Sequence, residues 1–85
     1  MPHTYILQCA DKTLYIGSTN DLVRRLREHN HGKAGAHYTK IRRPVACVWS
    51  EEHETLKEAR AREVVLKRLS RAEKLKLVGG KGVDV

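Results

Sequence analysis

One predicted helix carries an arginine and a histidine on its apolar face. Leu22, Arg25, Leu26 and His29 follow the spacing i, i+3, i+4, i+7, which defines one face of an α-helix. A guanidinium at the margin of a core is costly unless something anionic meets it. Two interpretations stay open: Arg25 and His29 belong to a site, or Arg25 extends to solvent beside a boundary histidine with satisfied hydrogen bonds.

A second predicted helix has a carboxylate on an otherwise apolar ridge. Ala59, Glu63 and Leu66 follow the spacing i, i+4, i+7. A carboxylate that faces the sheet is a suitable ligand for a hard divalent cation, because such ions prefer oxygen ligands. The pattern alone favours a plainer interpretation, an ion pair with a nearby basic side chain. The candidates for that pair are Arg60, Arg62 and Lys67.

A hairpin is predicted at the start of the chain. Residues 3–9 and 13–17 are rich in strand formers, and the turn between them has three residues. That loop pairs Tyr5 with Gly17, so Tyr5 and Tyr15 lie diagonally on one face, where their side chains either share a site or simply pack. The other face is expected to be the core side. It carries Ile6, Leu14 and Ile16 together with Gln8.

Basic residues are concentrated in one part of the chain. The 85 residues include 17 Lys and Arg against 10 Asp and Glu, a net charge of +7. The stretch from Asn20 to Val45 alone carries +5, from seven basic and two acidic residues. Such a surplus favours polyanions through counterion release, so nucleic acid is the expected partner, with an ordinary basic surface as the alternative. Tyr38 lies in this stretch and could stack on a base or cover the loop.

The cysteines and histidines do not form a metal-binding pattern. Five histidines and two cysteines are present without C-x-x-C or H-x-x-x-H spacing, which argues against zinc. Cys9 and Cys47 lie far apart in apolar runs, which favours two thiols over a disulfide. A phosphate-binding glycine loop of the P-loop type is absent.

The remaining elements complete a small α+β domain. After the hairpin, the signals predict a helix over 20–31 capped by Asn20, a loop through Lys40 and an apolar, central strand over 44–50. Two capping boxes, at Thr55 and Ser70, begin two more helices. The predicted order is ββ-α-β-α-α, with a three-stranded antiparallel sheet flanked by helices.

The chain is expected to form one cytoplasmic domain. Residues 1–79 are predicted to fold as a unit, and the glycine-rich residues 80–85 are predicted to be a flexible tail. No apolar run approaches the roughly 18 residues of a membrane span, so no membrane partner is expected. The N-terminus also lacks the basic start and apolar core of a signal peptide.

Taken together, these residues resemble a GIY-YIG nuclease domain. Tyr15-Ile16-Gly17 matches the second half of that name, and Tyr5 stands ten residues earlier, as the family spacing requires. The likeness extends over residues 3 to about 78 and is closest to the small stand-alone bacterial branch. Within the later motifs, Arg25 matches the family's arginine, His29 its histidine and Glu63 its metal-binding glutamate. The glycine-isoleucine of the first motif is missing, because His3-Thr4 precedes Tyr5.

The resemblance implies a metal-dependent endonuclease acting on DNA, with RNA as the alternative substrate. Glu63 would hold one Mg²⁺ or Mn²⁺, Arg25 would neutralise phosphoryl charge, and Tyr5 or Tyr15 would orient or deprotonate water, with His29 assisting. Gly17 would let the backbone approach the phosphate. The expected DNA-binding side chains are Lys33, Tyr38, Lys40, Arg42 and Arg43.

Two rival functions remain on the sequence. One is a nucleic-acid-binding module that keeps the fold without turnover, and the other is a domain that docks on a larger partner. The resemblance favours structure-directed or weakly specific cleavage in DNA repair or recombination. Because 85 residues leave no room for a second binding domain, a protein partner could supply targeting.

Overall fold

A computed structural model describes residues 1–32 and 37–79 of the chain. The predicted α+β class and three-stranded antiparallel sheet are confirmed. Within the described ranges no helix is long and apolar enough to cross a membrane. The strands are β1 (His3–Cys9), β2 (Leu14–Thr19) and β3 (Val45–Glu52), and the helices are α1 (Leu22–His31), α2 (His37–Lys40), α3 (Leu56–Lys67) and α4 (Arg71–Gly79).

Two stretches differ from their sequence-based expectation or lie beyond the described residues. The loop predicted through Lys40 contains a short helix, α2, so the order along the described chain is ββ-α-α-β-α-α. The predicted tail, residues 80–85, lies outside the described residues, as does Lys33. The division into a domain over 1–79 and a tail therefore stays a prediction.

The hairpin has the register that its three-residue turn predicts. Tyr5 pairs with Gly17 and Leu7 with Tyr15 along antiparallel β1 and β2. β2 runs further than expected, so Ser18 is also part of the strand. Because side chains alternate along a strand, Ser18 projects on the face opposite to Tyr15.

The middle strand of the sheet is β1, and β3 is an edge strand. The prediction of a central β3 is therefore wrong. Its apolar residues serve two different cores, since Val45 packs on one face and Trp49 on the other. Ala46 and Ser50 of the same strand are exposed. An apolar sequence here reflects packing on both faces of the sheet, and not pairing on both sides of the strand.

Helices cover both faces of the sheet, so the described chain has two cores where one was expected. The face opposite the tyrosines is a core face, as predicted, and it packs against α3 and α4 through Ile6, Ile16, Trp49, Leu66 and Val78. The tyrosine face is covered by α1, and its buried cluster contains Tyr5, Leu7, Cys9 and Val45, with Leu22 and Leu26 against it. Tyr5 is thus a core residue, which limits what its hydroxyl can reach.

Local capping signals set the helix starts, with one shift. The N-cap of α1 is Asp21, whose carboxylate accepts a hydrogen bond from the backbone N–H of Arg24 at 3.0 Å, and not Asn20 as predicted. An N-cap side chain accepts from a backbone N–H two or three residues further on, and Asp21 has that position relative to Arg24. The predicted capping box of Thr55 and Glu58 is present at the start of α3.

Candidate functional site

Three buried polar residues from three elements form one hydrogen-bonded chain. The Tyr5 hydroxyl of β1 lies 2.9 Å from His29 Nε2 of α1. His29 Nδ1 lies 2.7 Å from Thr39 Oγ1 of α2. Tyr5 is 1% exposed, and His29 and Thr39 are fully buried. His29 is therefore an interior histidine with both ring nitrogens partnered, as one of the two sequence interpretations requires.

Burial sets the protonation states of His29 and Tyr5. Burial, with smaller contributions from the charges of Arg25 and Arg43, lowers the pKa of His29 to about 4. Burial also raises the pKa of Tyr5 to about 12, although a hydrogen bond from Arg25 acts in the opposite direction. At neutral pH the imidazole is therefore neutral and the phenol keeps its proton.

Acid is expected to destabilise the protein through His29. Since its pKa falls from 6.5 to about 4 on folding, the unfolded chain binds a proton at a higher pH than the folded chain. Stability is then fully present above pH 6.5 and decreases as the pH falls toward 4, by about 3 kcal/mol in total. Denaturant unfolding at pH 7 and pH 4.5 measures this loss. It should shrink in His29→Gln but persist in His31→Gln, an exposed control; equal losses in all three proteins would assign the effect elsewhere.

Arg25 links the buried hydrogen-bonded residues Tyr5, His29 and Thr39 to the protein surface. Its guanidinium donates a hydrogen bond to the Tyr5 hydroxyl and another to Glu28 Oε1 at 2.9 Å. The Arg25 side chain is 26% exposed. Glu28, one turn further along α1, is thus an anion that meets this arginine within the described residues. Arg25 nevertheless keeps part of its surface at the solvent, where a substrate oxygen could reach it.

Of the two hairpin tyrosines, Tyr5 and Tyr15, it is Tyr15 that reaches the surface. It is partly exposed, whereas Tyr5 is not. Its ring packs edge-on against His29, with centroids 5.1 Å apart, and lies 5.9 Å from the ring of Tyr38. The structure therefore brings Tyr5, Tyr15, Arg25 and His29 together on one face of the sheet. Their spacings predicted the two pairs, and the family resemblance implied that the pairs meet.

Gly17 makes room for Tyr5. A Cβ at Gly17 would lie 2.6 Å from Tyr5 Cζ and in contact with the Tyr5 hydroxyl oxygen. The space that a side chain would need is thus filled by the tyrosine. The structure gives this glycine a packing role. The close approach to phosphate that the family resemblance implies stays a prediction.

Replacing Gly17 with alanine is expected to destabilise the protein by about 1–3 kcal/mol, because Tyr5 is buried and cannot move without disturbing the core. The change should also separate the Tyr5 hydroxyl from His29. Urea unfolding monitored by Trp49 fluorescence measures the loss. Gly79→Ala is the matched control, since a Cβ there meets nothing within 4 Å. Equal unfolding free energies for the two variants would contradict the packing role.

Glu63 approaches the same region from the other layer of the fold. Its Oε1 accepts a hydrogen bond from Ser18 Oγ at 2.6 Å, and its Oε2 lies 2.7 Å from Lys67 Nζ. The ion pair favoured by the helix pattern is therefore present, with Lys67. Ser18 follows Gly17 directly, and the charge of Glu63 contributes to the raised pKa of Tyr5. The carboxylate thus lies at the edge strand β2, where Ser18 holds it on the face opposite to Tyr15.

The donor set at Glu63 fits a hydrated divalent ion better than a fully protein-bound one. Within residues 1–32 and 37–79, no three His, Cys, Asp or Glu side chains are grouped as metal ligands. Mg²⁺ is commonly bound through one or two carboxylates while it keeps several waters. The Glu63 side chain is 20% exposed and offers one such carboxylate.

Two of the basic residues expected to bind nucleic acid have partners inside the protein. Arg43 donates to the backbone carbonyls of His29 at 2.6 Å, Gly32 at 2.7 Å and Glu28 at 3.1 Å, where α1 ends. The carbonyls at the end of a helix lack the regular intrahelical partner, so the guanidinium acts as a C-terminal cap. Of the three, the Glu28 carbonyl also accepts from the Gly32 backbone N–H at 2.9 Å. We therefore assign Arg43 to the stability of α1 and not to a nucleic-acid surface.

The Arg42 guanidinium stacks on the ring of Tyr38. The Arg42 guanidinium carbon lies 3.9 Å from the centroid of the Tyr38 ring. Arg42 Nε is also 3.0 Å from Asp11 Oδ2, an ion pair without hydrogen-bond geometry. One face of Tyr38 is thus occupied, which leaves less of the ring for stacking on a base. Lys40 is exposed on α2 and remains a predicted DNA contact.

Sequence patterns missed three residues that the structure places at the site. Glu28 meets Arg25, Ser18 holds Glu63, and Thr39 holds His29. The position of Ser18 directly after the Tyr-Ile-Gly motif was the available signal for that residue. No periodicity could indicate Thr39, because α2 has only four residues.

The fold and the grouped side chains define a protein of the GIY-YIG class. The family model described as the GIY-YIG catalytic domain matches residues 1–76, so the chain belongs to this family and a nuclease activity is indicated. Among its relatives are small proteins named UPF0213. One from Syntrophus aciditrophicus is 53% identical over 76 residues, covering 89% of this chain and 87% of that protein. One from Clostridium perfringens is 45% identical over 83 residues, covering 98% and 88%.

Solved structures of similar proteins have the same fold. The solution NMR structure of a UPF0213 protein from Bacillus halodurans has a TM-score of 0.61 at 39% identity, covering 99% of this chain and 89% of that one. A solution NMR structure from E. faecalis gives a TM-score of 0.61 at 35% identity, covering 98% and 88%. The small stand-alone branch indicated by the sequence is thus confirmed.

Proposed function

We propose that this protein is a divalent-metal-dependent endonuclease that hydrolyses phosphodiester bonds in DNA. The observation that carries the proposal is that side chains from both faces of the sheet come together at β2. Arg25 and Tyr15 lie on one face of the sheet, and Glu63 reaches the same strand from the other face through Ser18. A phosphate at this edge would have a guanidinium on one side and a carboxylate for a metal on the other.

Arg25 is suited to the charge that develops on the phosphoryl oxygens. Its planar guanidinium can donate two parallel hydrogen bonds, a geometry that matches two oxygens of a phosphate. The bonds to Tyr5 and Glu28 hold the side chain in place before substrate binds. Such preorganised donors stabilise a transition state without reorganisation during the reaction.

Glu63 supplies the proposed metal ligand. A divalent ion bound there would stabilise negative charge on the leaving 3′ oxygen. Ser18 fixes one carboxylate oxygen by its hydrogen bond, so the other oxygen, now paired with Lys67, is the one that can exchange partners. An exposed ion pair of this type contributes about 0.5 kcal/mol, so exchanging it costs little.

Of the two tyrosines, Tyr15 is the one we assign to the attacking water, because its side chain reaches the surface. Tyr5 is 1% exposed and its hydroxyl is used by Arg25 and His29. Tyr15→Phe is therefore expected to lower the cleavage rate at saturating substrate by about 10²-fold, with unchanged unfolding free energy. Tyr5→Phe should lose stability, by about 1 kcal/mol or more, and only about tenfold in rate, because Arg25 loses one hydrogen-bond acceptor. Single-turnover cleavage and urea unfolding of both variants separate the roles; a rate loss confined to Tyr5→Phe would reverse the assignment.

Recognition is proposed to be weak or directed by DNA structure. Arg43 and much of Arg42 are engaged within the protein, so the outer basic surface is smaller than the charge count suggests. Contacts from such side chains reach phosphates and carry no sequence information. A role in DNA repair or recombination, with a protein partner that supplies targeting, is consistent with this small surface.

The decisive test is cleavage of labelled single-stranded, duplex and branched DNA with Mg²⁺, with Mn²⁺ and with chelator. Metal-dependent cleavage supports the proposal and identifies the favoured substrate; the same panel in RNA tests the other nucleic acid. Binding without cleavage on every substrate would favour a non-catalytic binding or partner-docking module. The pairing of Glu63 with Lys67 is the observation that favours this second candidate.

A further inference from the structure

We propose that Thr39 is a positioning residue, which fixes the tautomer of His29 and through it the direction of the Tyr5 hydroxyl proton. The inference rests on the proposed function, since its consequence is the placement of Arg25. Thr39 belongs to the four-residue helix α2, and its hydroxyl oxygen lies 2.7 Å from His29 Nδ1. Both residues are fully buried, so neither group can turn to solvent for a partner.

The direction of the first hydrogen bond follows from which groups can donate. Tyr5 is 1% exposed, so its hydroxyl proton needs an acceptor within the protein. In the described part of the chain this hydroxyl meets Arg25 and His29 Nε2. A guanidinium has donors and no acceptor. The Tyr5 proton is therefore directed at Nε2, which must accept it with a lone pair.

The second hydrogen bond follows from the first. A neutral imidazole carries one N–H and one lone pair, so an accepting Nε2 places the proton on Nδ1. That N–H then donates to Thr39 Oγ1. Without this oxygen, the ring has no arrangement that satisfies both sides. Keeping the proton on Nδ1 leaves a buried donor unpaired, and moving it to Nε2 sets it against the Tyr5 proton.

The consequence reaches the proposed active face. With its proton directed at His29, the Tyr5 oxygen presents its lone pairs to Arg25, which donates to it. Arg25 is thereby held beside the tyrosine. The same short helix also carries Tyr38, whose ring lies 5.9 Å from that of Tyr15. α2 thus supports both tyrosines of the site: Tyr5 indirectly, because Thr39 bonds His29 and His29 bonds Tyr5, and Tyr15 through ring packing with Tyr38.

Nitrogen-15 NMR of the imidazole in the native protein, Thr39→Val and Thr39→Ser tests the proposal. The native ring should carry its proton on Nδ1. Thr39→Val keeps the shape of the side chain without its oxygen, so it should give a mixed tautomer population and a cleavage rate about tenfold lower. Thr39→Ser should restore both. A native proton on Nε2, or a Thr39→Val protein with native tautomer and native rate, would overturn the proposal.

Tautomer and cleavage report separately on the two proposals. A ring that is protonated on Nδ1, perturbed in Thr39→Val and restored in Thr39→Ser, supports the role of Thr39 even if no substrate is cut; the nuclease proposal alone would then fail. A native proton on Nε2 removes the role of Thr39 even if cleavage is found. The native measurement and Thr39→Ser decide the matter if Thr39→Val does not fold.

Discussion

Glu63→Gln is expected to lower metal-dependent cleavage by about 10²–10³-fold while DNA affinity stays within about twofold of native. Glutamine keeps the side-chain length and an oxygen that can accept from Ser18, so the edge of β2 should hold its shape. The change removes the negative charge that a divalent ion needs. Lys67 loses its partner, which costs about 0.5 kcal/mol because its side chain is 56% exposed.

The measurement is single-turnover cleavage over a range of Mn²⁺ concentrations, together with Mn²⁺ binding followed by paramagnetic resonance. Glu52→Gln is the control, since Glu52 is an exposed carboxylate at the end of β3 and the variant has the same charge change. A Glu63→Gln protein that binds Mn²⁺ and cleaves like Glu52→Gln would place the metal elsewhere. A protein that cleaves equally well with chelator would remove the metal from the mechanism.

Arg25→Lys is expected to reduce the cleavage rate at saturating DNA by about 10²-fold or more, although the charge is kept. A lysine ammonium is a point charge without the planar fork of the guanidinium, so it cannot meet two phosphoryl oxygens in parallel. Its three N–H donors also cannot serve Tyr5 and Glu28, which orient Arg25, and two phosphoryl oxygens at the same time. The loss should appear in the rate of the chemical step and leave DNA affinity nearly unchanged.

Arg24→Lys provides a matched comparison for this change. Arg24 is the preceding residue, it also pairs with Glu28, and its side chain is 73% exposed. If charge near the start of α1 were all that mattered, the two lysine variants would cleave alike. Equal rates, both close to native, would therefore contradict the proposed role of Arg25 and would favour a binding module.

Sequence patterns predicted the parts of this site that depend on local geometry. The hairpin register follows from the length of its turn, so Tyr5, Tyr15 and Gly17 were placed correctly. Helical spacing placed Arg25 and His29 on the buried face of α1. Glu63 was likewise placed on α3, and its partner Lys67 was among the predicted ones.

The sequence alone could not identify the side-chain partners that depend on tertiary contacts. Nothing local distinguishes Arg43, which caps α1, from Arg42, which stacks on Tyr38. The edge position of β3 depends on the pairing of distant strands and not on its own composition. The role of Gly17 also needed the structure, because only there does the Tyr5 ring lie over it.

Both layers of the fold contribute to the site, and this has a consequence for folding. Ser18 and Glu63 are separated by 45 residues along the chain, and Tyr5 and His29 by 24. Contacts of high sequence separation require the entropic cost of loop closure to be met first, so they form late in folding. A partly synthesised or partly folded chain therefore has the basic residues without the assembled site. Under the proposed nuclease function, cleavage therefore requires that folding is complete.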